Sequence, residues 1–491
     1  MPNSSLTRRE FITFSALAAA MLGVPGCMTL ARNPRKPRPI AAGAKIRIAQ
    51  IGCGGKGFTD IMAHKDEEVV AFCDLDWEGK PTFQTVEGQR VERPSNVKKL
   101  MAEFPAAKRY TDFRKMLLEM DDQIDAVGIA TPDHMHFLPA YLAIMLGKHV
   151  YVQKPLTQTV AEARELLRLA RLNGVCTQMG NQGHAGEGIR LVREWFEAGL
   201  LGEVKEVHIW TNRPATAAST VWPQGIAEWP AAETPPAGFD QDLFLGRAPQ
   251  RPFSRKIHPF NWRGYRDYGC GALGDMACHL MDAAYWGLQL GAPTSVELTK
   301  VEGLTAISYP KSAIVTYQFP ARGKLPPVKL TWHEGGEKPA KPAQMETTRQ
   351  LAQGGQLWLG SKGVVYDGND YCNSPRFLPD AYHKELADGG KFPPKTYPRV
   401  LPDTPQAASP YKEWTAAIRA NNPSAAGSNF EYAVPFTEMV CLGTVSILVG
   451  KKFTWDSAAM KTSLPEADKL LYPDYRQGWT AADVIKGATV I

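Results

Sequence analysis

Three side chains that can move protons stand in two widely separated motifs. Lys154 follows the apolar run His149–Val152 and precedes a proline, whereas Asp275 and His279 lie four residues apart. A four-residue spacing places two side chains on one face of a helix. A positioned lysine can polarise a hydroxyl or carbonyl, and a histidine beside a carboxylate can accept a proton near neutral pH. We therefore predict that Lys154, Asp275 and His279 are catalytic.

A glycine-rich motif near the start of the chain predicts a dinucleotide site. Its glycines follow an apolar run and precede a helical pattern: Gly52, Gly54, Gly55 and Gly57. Such a loop brings backbone N–H groups and the positive end of a helix to a pyrophosphate. Asp74 ends the next apolar run, where a carboxylate binds the ribose hydroxyls of NAD. No arginine lies in the three positions after Asp74, so we expect NAD rather than NADP.

A second loop is predicted at the same edge of the sheet. Thr131 and Pro132 follow an apolar run, and we expect both to contact the cofactor together with Lys154 and Pro155. His136 stands at the end of this loop. Two interpretations of it stay open: a contact with cofactor or substrate, or a cap on the following helix.

The surrounding segments predict a parallel sheet flanked by helices. Short apolar runs that end in glycine or polar residues indicate buried strands at Ile46–Ile51, Glu68–Cys73, Ile124–Ala130 and His149–Val152. Helices are predicted at Asp112–Met120, Phe137–Leu146 and Ala161–Asn173, the last with a Thr159/Glu162 capping box and a stop at Gly174. This alternation predicts a Rossmann domain at 46–180.

The pattern changes after residue 204. Strands are predicted at Val204–Trp210, Ser295–Val301, Ala313–Phe319 and Val328–Trp332, with no long helix between the last three. We expect an α+β domain at 181–491 with a mostly antiparallel open sheet. One helix over Gly269–Leu290 would carry Asp275, His279 and Asp282, which we expect to orient His279. Residues 214–265 form an ordered insertion, and 335–355 and 372–410 form loops.

Polar and aromatic residues near the domain junction are candidates for substrate binding. We expect contacts from Asn181, Gln182, Trp262, Arg263, Asp275 and His279, with His184 close by. Aromatic faces cover the apolar faces of sugars, and amide and guanidinium groups bond to hydroxyls. For the aromatic residues of the insertion, the alternative is core packing or a subunit interface.

Composition excludes some classes of protein. The seven basic and one acidic side chains of residues 1–45 account for the whole net charge of +6. The folded part is formally neutral, so we expect no nucleic-acid partner. The eight cysteines form no C-x-x-C pair and no Cys/His cluster with zinc spacing. We therefore expect no metal, and free buried thiols for most of the cysteines.

The first 45 residues resemble an export leader with a tether. Thr7-Arg8-Arg9 is typical of a twin-arginine signal, and a short Ala-rich apolar segment follows it. Gly26-Cys27 resembles a lipoprotein cleavage site. A lipid anchor at Cys27 and a non-lipidated signal with a chance cysteine both stay open. Either way we expect a protein exported to the periplasm or anchored facing it.

Together these motifs resemble the glucose–fructose oxidoreductase, inositol dehydrogenase and rhizopine-catabolism family, Gfo/Idh/MocA, in its exported branch. The resemblance rests on Gly52–Gly57, the Thr131/His136 loop, Lys154-Pro155 and the motif at Asp275 and His279, and it spans almost all of the chain after residue 45. It implies the catalytic lysine, aspartate and histidine named above, and a homo-oligomer formed through the C-terminal sheet. The family commonly has Glu before the Lys-Pro, whereas this chain has Gln153.

The resemblance implies an NAD-dependent oxidoreductase that acts on a sugar, polyol or sugar derivative. We expect it to hold its cofactor tightly, because an exported enzyme has no soluble NAD pool. The alternative is a redox-neutral, NAD-dependent glycoside hydrolase similar to family 109. A third hypothesis is a sugar-binding protein without catalytic activity. It is disfavoured because Lys154, Asp275 and His279 are all present.

The leader generates the first prediction. Replacing Arg8 and Arg9 by lysine should trap the protein in the cytoplasm, because the twin-arginine pathway reads the arginine pair. Cell fractionation followed by immunoblotting measures this. Unchanged export of the double variant would contradict the signal assignment.

Overall fold

Two sheets organise the chain. The computed structural model describes residues 35–80, 82–86, 89–215, 221–399 and 409–486. The twin-arginine motif and Cys27 lie outside these residues. The seven described cysteines are all buried and free, which confirms the expectation for them.

The first sheet has six parallel strands in the order β5-β2-β1-β6-β7-β8. In chain order its region contains β1 Arg47–Ile51, α1 Lys56–Met62, β2 Glu68–Cys73, the separate hairpin β3 Thr82–Val86 and β4 Gln89–Arg93, α2 Asn96–Glu103, β5 Lys108–Tyr110, α3 Phe113–Glu119, β6 Ala126–Ile129, α4 Phe137–Met145, β7 His149–Val152, α5 Val160–Asn173 and β8 Thr177–Met179. This topology confirms the Rossmann domain.

Both faces of the sheet are buried at its centre, which explains why β6 and β7 are fully buried and largely apolar. Alternate side chains point to opposite faces. Thus Ala49 and Ile51 pack towards the side of α3, α4 and α5, whereas Ile48 packs with α1 and α2. Thr159 caps α5 by accepting a hydrogen bond from the backbone of Glu162, and Gly174 ends the helix at φ 71°.

The second sheet has nine strands in the order β15-β14-β13-β9-β12-β11-β10-β16-β17, and only its β9–β12 pair is parallel. Its region contains α6 Glu187–Glu197, β9 Val204–Trp210, α7 Gln241–Leu245, α8 Gly271–Leu280, α9 Asp282–Gly287, β10 Ser295–Glu302, β11 Ser312–Phe319, β12 Val328–Glu334, β13 Gly355–Gly360, β14 Val364–Asp367, β15 Arg376–Leu378, α10 Asp380–Asp388, α11 Ser409–Arg419, α12 Phe430–Val449, β16 Phe453–Asp456, β17 Lys461–Thr462, α13 Pro465–Leu470 and α14 Ala481–Ile485. The mostly antiparallel α+β domain is confirmed.

Helix α12 joins the two domains. It packs against α5 of the first domain and α8 of the second. Among the described residues it is the one helix long and apolar enough to cross a membrane, but 78% of its apolar window is buried inside the fold. It therefore has the burial of a core helix. Helix α11 also returns to the first domain, where its Trp414 packs on the sheet.

Two sequence-based expectations were wrong. The single helix predicted over Gly269–Leu290 is two helices, α8 and α9, separated by a turn at Met281. Asp282, which begins α9, bonds with side chains from three distant positions rather than continuing the face of His279. The predicted loop 372–410 contains β15 and α10, because partners far along the chain stabilise short segments with weak local signals.

Candidate active site

A cleft of about 820 Å³ lies at the carboxyl ends of the first sheet and is closed by the second domain. Its wall includes both sequence motifs, from Gly52 and Asp74 to Lys154, Asp275 and His279. Ligands of such sheets bind at this edge. The fold thus brings the predicted cofactor residues and the predicted catalytic residues into one cavity.

The glycine loop is shaped by close backbone approaches. Gly52 has φ +80°, and a Cβ there would lie 2.5 Å from the Ala130 carbonyl oxygen. A Cβ on Gly57 would lie 1.8 Å from the Gly52 oxygen. Around Gly55 nothing lies within 4 Å, and Gly54 would meet only Val97 at 3.6 Å. The loop is therefore tight on its inner side and open towards the cleft.

Asp74 is placed where a ribose could meet it. Its carboxylate accepts hydrogen bonds from the backbone N–H of Cys53, at 2.6 Å, and of Asp76, at 2.9 Å. Burial raises the pKa of Asp74, while the two N–H donors oppose that rise. The side chain thus fixes the glycine loop as well as lining the cleft.

The Thr131 loop is held by its histidine His136. The His136 ring lies between two carbonyl oxygens, with Nδ1 2.7 Å from that of Pro155 and Nε2 2.9 Å from that of Thr131. Burial lowers the pKa of His136 to about 4, so the ring is neutral. Its side chain makes no helix-capping bond. Although it lines the cleft with Thr131 and Pro132, its single ring N–H can bond to the carbonyl of Pro155, the residue after Lys154, or to that of Thr131, but not to both at once. Pro155 itself lies behind the wall.

Lys154 and Asp275 form an ion pair across the two domains. The Lys154 Nζ donates to Asp275 Oδ1 at 2.8 Å and to the Asp275 backbone oxygen at 2.7 Å. Arg263 Nε lies 3.3 Å from the same Oδ1. Burial alone would raise the pKa of Asp275, but the two cations outweigh it and hold the pKa well below its usual range. Asp275 is therefore a fixed negative charge and no proton donor at neutral pH.

His279 is the free base of the cleft. The ring is 6% exposed, and its Nδ1 has no hydrogen-bond partner in the described part of the chain. The ring of Tyr371 packs on it edge-to-face at 4.9 Å. Burial, followed by the charge of Lys154, lowers the pKa of His279 well below its usual value. The imidazole is thus neutral and able to accept a proton from a bound molecule.

Asp282 does not orient His279. It accepts hydrogen bonds from Asn181 Nδ2 at 2.9 Å and from the Tyr432 hydroxyl, and it lies 3.0 Å from His184 Nδ1. Asp282, Asn181 and His184 are buried, and Tyr432 is half-buried. Asn181 and His184 are thus occupied beneath the cleft and are absent from its wall, whereas Gln182 lines it.

The glutamine before Lys154 is joined to a carboxylate from another element. Gln153 Nε2 donates to Asp60 Oδ2 at 2.8 Å. Asp60, on α1, also pairs with Lys56 at 3.0 Å and accepts from the Tyr411 hydroxyl at 2.6 Å. A negative charge therefore remains near this strand end, although residue 153 does not supply it.

The outer wall of the cleft combines aromatic rings and cations. The Arg263 guanidinium lies 4.3 Å from the ring centres of both Phe260 and Trp262. Phe260 is 44% exposed, although most large hydrophobic side chains of the described chain are buried. Arg213 and Asp370 complete this end. Sequence reasoning missed several wall residues that no local spacing marks: Lys56, Asp133, Asp370 and Tyr371.

Family models match both domains. One, described as an oxidoreductase family NAD-binding Rossmann fold, matches residues 46–181. The other, the C-terminal alpha/beta domain of the same oxidoreductase family, matches residues 186–318. Together they cover more than half of the chain. The chain belongs to the Gfo/Idh/MocA oxidoreductase family.

Several members and solved structures are similar to this Gfo/Idh/MocA chain. A glycosyl hydrolase family 109 protein of Shewanella amazonensis is 26% identical over 220 residues, which are 41% of this chain and 45% of that protein. The chain spans about half the length, or less, of the curated relatives that it matches first. Because these matches cover only part of each relative, the activity of the whole protein is a matter for proposal.

Two solved structures share the fold. The WlbA dehydrogenase of Chromobacterium violaceum, in complex with NADH and UDP-GlcNAcA, has a TM-score of 0.56 at 16% identity, covering 86% of this chain and 99% of that one. An inositol dehydrogenase homolog of Azotobacter vinelandii, complexed with NAD⁺, has a TM-score of 0.54 at 16% identity, with the same coverage. At this identity the likeness concerns the fold alone.

The cofactor of this Gfo/Idh/MocA chain is NAD, as its Rossmann domain requires. The residues present fit it. The glycine loop is open towards the cleft at Gly54 and Gly55. The Thr131 hydroxyl oxygen is buried without a hydrogen-bond partner among the residues described. Since buried polar groups are normally paired, such a group in the cleft is suited to a bound molecule.

Asp74 generates the second prediction. Asp74→Ala should weaken NAD binding by roughly ten- to a hundredfold, the effect of losing hydrogen bonds to a charged group. It should also reduce the preference for NAD over NADP, because the variant lacks the carboxylate that repels the ribose phosphate of NADP. Calorimetry on enzyme freed of its nucleotide measures both affinities.

The matched control is Asp76→Asn, which removes a charge two residues further along the same wall. Asp76→Asn should reduce the preference for NAD over NADP less than Asp74→Ala does, because the Asp76 carboxylate already pairs with His258. Tighter or equal binding of NADP by the native enzyme would contradict the assignment of Asp74.

Proposed function

We propose that the protein is an NAD(H)-dependent oxidoreductase that acts on a CH–OH group of a sugar, polyol or sugar derivative. One observation carries this proposal: the Lys154–Asp275 ion pair and the His279 ring, whose Nδ1 has no partner among the described residues, share a cleft with the glycine loop. A proton acceptor, a cation and a dinucleotide site are the parts that alcohol oxidation needs.

The chain's own groups would handle the proton. The neutral His279 ring accepts the hydroxyl proton; burial keeps the imidazole uncharged before the substrate binds. The Lys154 ammonium, fixed by Asp275, stabilises the negative charge that develops on the substrate oxygen. Bound NAD supplies the hydride acceptor. Asp275 stays ionised throughout and keeps the lysine in place.

The wall of the cleft supports a carbohydrate substrate. The exposed ring of Phe260 and the Arg263 guanidinium offer an apolar face and hydrogen-bond donors side by side. The side-chain amide of Gln182 also lines the cleft, beside the Tyr411 hydroxyl. Two proteins of the same fold support this substrate class. The WlbA complex contains UDP-GlcNAcA, a sugar derivative, and the other protein is a homolog of inositol dehydrogenase, which is named for a polyol.

We propose that the cofactor is retained between turnovers. The insertion packs on the nucleotide domain: His258 Nε2 lies 3.4 Å from Asp76 Oδ2, and Leu75 joins an aromatic cluster that includes Phe239 and Phe244. Phe244 and His258 also line the cleft. A dinucleotide enclosed there would leave only after this packing opened, which suits an enzyme outside the cytoplasm.

Three further proposals concern the setting of the enzyme. The twin-arginine motif supports export to the periplasm, and Cys27 supports a lipid anchor there. The second sheet is the surface through which we expect the chain to form a homo-oligomer.

A redox-neutral glycosidase is the second candidate, favoured by the match to a glycosyl hydrolase family 109 protein. Both reactions begin with oxidation of a ring hydroxyl. A glycosidase would then return the hydride to the same sugar, so that nicotinamide ends unchanged. We favour net oxidoreduction, because no residue of the cleft is required only for glycoside cleavage.

The third prediction separates these two reactions. Enzyme with its own cofactor is mixed with a panel of free sugars, polyols and aryl glycosides, while absorbance of reduced nicotinamide and aglycone release are followed together. We expect lasting reduction by free sugars or polyols without aglycone release. Multiple-turnover aglycone release without added NAD would overturn net oxidoreduction.

Variants connect the activity to the cleft. Lys154→Ala and His279→Ala should each lower the rate by at least about a hundredfold, the range of general acid–base catalysis. Lys205→Ala is the matched control, since this exposed lysine on β9 pairs only with Glu203 in the described structure and should leave the rate unchanged.

A further inference from the structure

The helix that carries the catalytic aspartate and histidine begins where the two domains meet. The first N–H groups of a helix have no partner within it. Before α8, the Cys270 N–H donates to Asp133 Oδ2 at 3.0 Å. In its first turn, the Leu273 N–H lies close enough to the Glu334 carboxyl to lower the pKa of that group. Asp133 belongs to the nucleotide domain and Glu334 to β12, so each domain holds the start of this helix with a buried carboxyl group.

Asp133 is also part of the cleft. It is 5% exposed, directly follows Pro132 and lines the same wall as Lys154. The charged groups that act on it are Arg263, Lys154 and Asp275. Four further titratable groups interact with it, and burial raises the pKa of each so that all are uncharged at neutral pH: Cys270, Cys278, Tyr309 and Cys441.

The Asp133 carboxyl titrates near neutral pH. Burial raises the pKa of Asp133 to about 7, against the opposing charges of Arg263 and Lys154. Below this pH the group is neutral, and above it a second negative charge stands beside the Lys154–Asp275 pair. Either form keeps an oxygen for the Cys270 N–H, so the helix attachment survives titration.

We propose that Asp133 is a positioning residue: it attaches the start of α8 to the nucleotide domain, and its proton sets the charge beside Lys154 and Asp275. Its role in turnover rests on the proposed function. Through Lys154 it would tune how strongly the cleft stabilises the developing substrate oxyanion.

An infrared titration tests the ionisation without any substrate. The nucleotide-loaded native enzyme is compared with Asp133→Asn, which keeps an oxygen for Cys270 but cannot titrate. We expect the difference spectrum to contain a protonated-carboxyl band that disappears with a midpoint near pH 7. Glu334, with a pKa of about 8, and Asp367, with a pKa of about 6, are present in both proteins and cancel.

A kinetic arm tests the effect on turnover with whichever sugar of the panel reduces the cofactor. We expect kcat of the native enzyme to change about tenfold through pH 7, the effect of shifting a catalytic group by one pKa unit. Asp133→Asn should lose this inflection with little change in KM. If that variant does not fold, Asp133→Glu should keep the inflection at a shifted midpoint.

The outcomes separate the two proposals. An infrared difference without the titrating band, or the same kinetic inflection in Asp133→Asn as in the native enzyme, overturns the assignment of Asp133. Absence of nicotinamide reduction by every sugar, with the infrared band present, counts against the proposed function and leaves the Asp133 ionisation established.

Discussion

The ion pair between Lys154 and Asp275 is the contact on which the architecture of this protein depends. Each side chain is only about 15% exposed, and they come from different domains. Removing one partner of a buried pair typically costs about 3–5 kcal/mol, because the other charge is left uncompensated. Each domain therefore contributes one charge of the pair, and each charge is stabilised by its partner only when the two domains are packed together.

The rest of the junction serves to place this pair. His136 holds the peptide after Lys154 through the Pro155 carbonyl, and the carboxyl groups of Asp133 and Glu334 hold the start of α8. Helix α12 packs against both α5 and α8 behind them. The charged groups of the cleft are thus held in place where the domains meet, as preorganised electrostatics require, whereas the His279 Nδ1 and the Thr131 hydroxyl have no hydrogen-bond partner among the described residues.

Local patterns predicted the elements that local physics determines. The glycine loop, Asp74 and Lys154 each follow a short buried strand, and such strands are visible as apolar runs. The break at Met281 was not predictable, because Asp282 is bound by residues about 100 and 150 positions away. Asp370 and Tyr371 reach the cleft from a loop after β14 for the same reason. Asp133 stood inside a recognised motif, but only the fold shows its contact with Cys270.

A double-mutant cycle on Lys154 and Asp275 shows whether the two side chains act as one catalytic unit. Single-turnover reduction of bound nicotinamide would be measured for Lys154→Met, Asp275→Asn and the double variant. If the two groups act as one unit, the double variant should lose no more rate than the worse single variant. Losses that multiply would mean that the two side chains act independently, and would contradict the account of the ion pair as the catalytic unit.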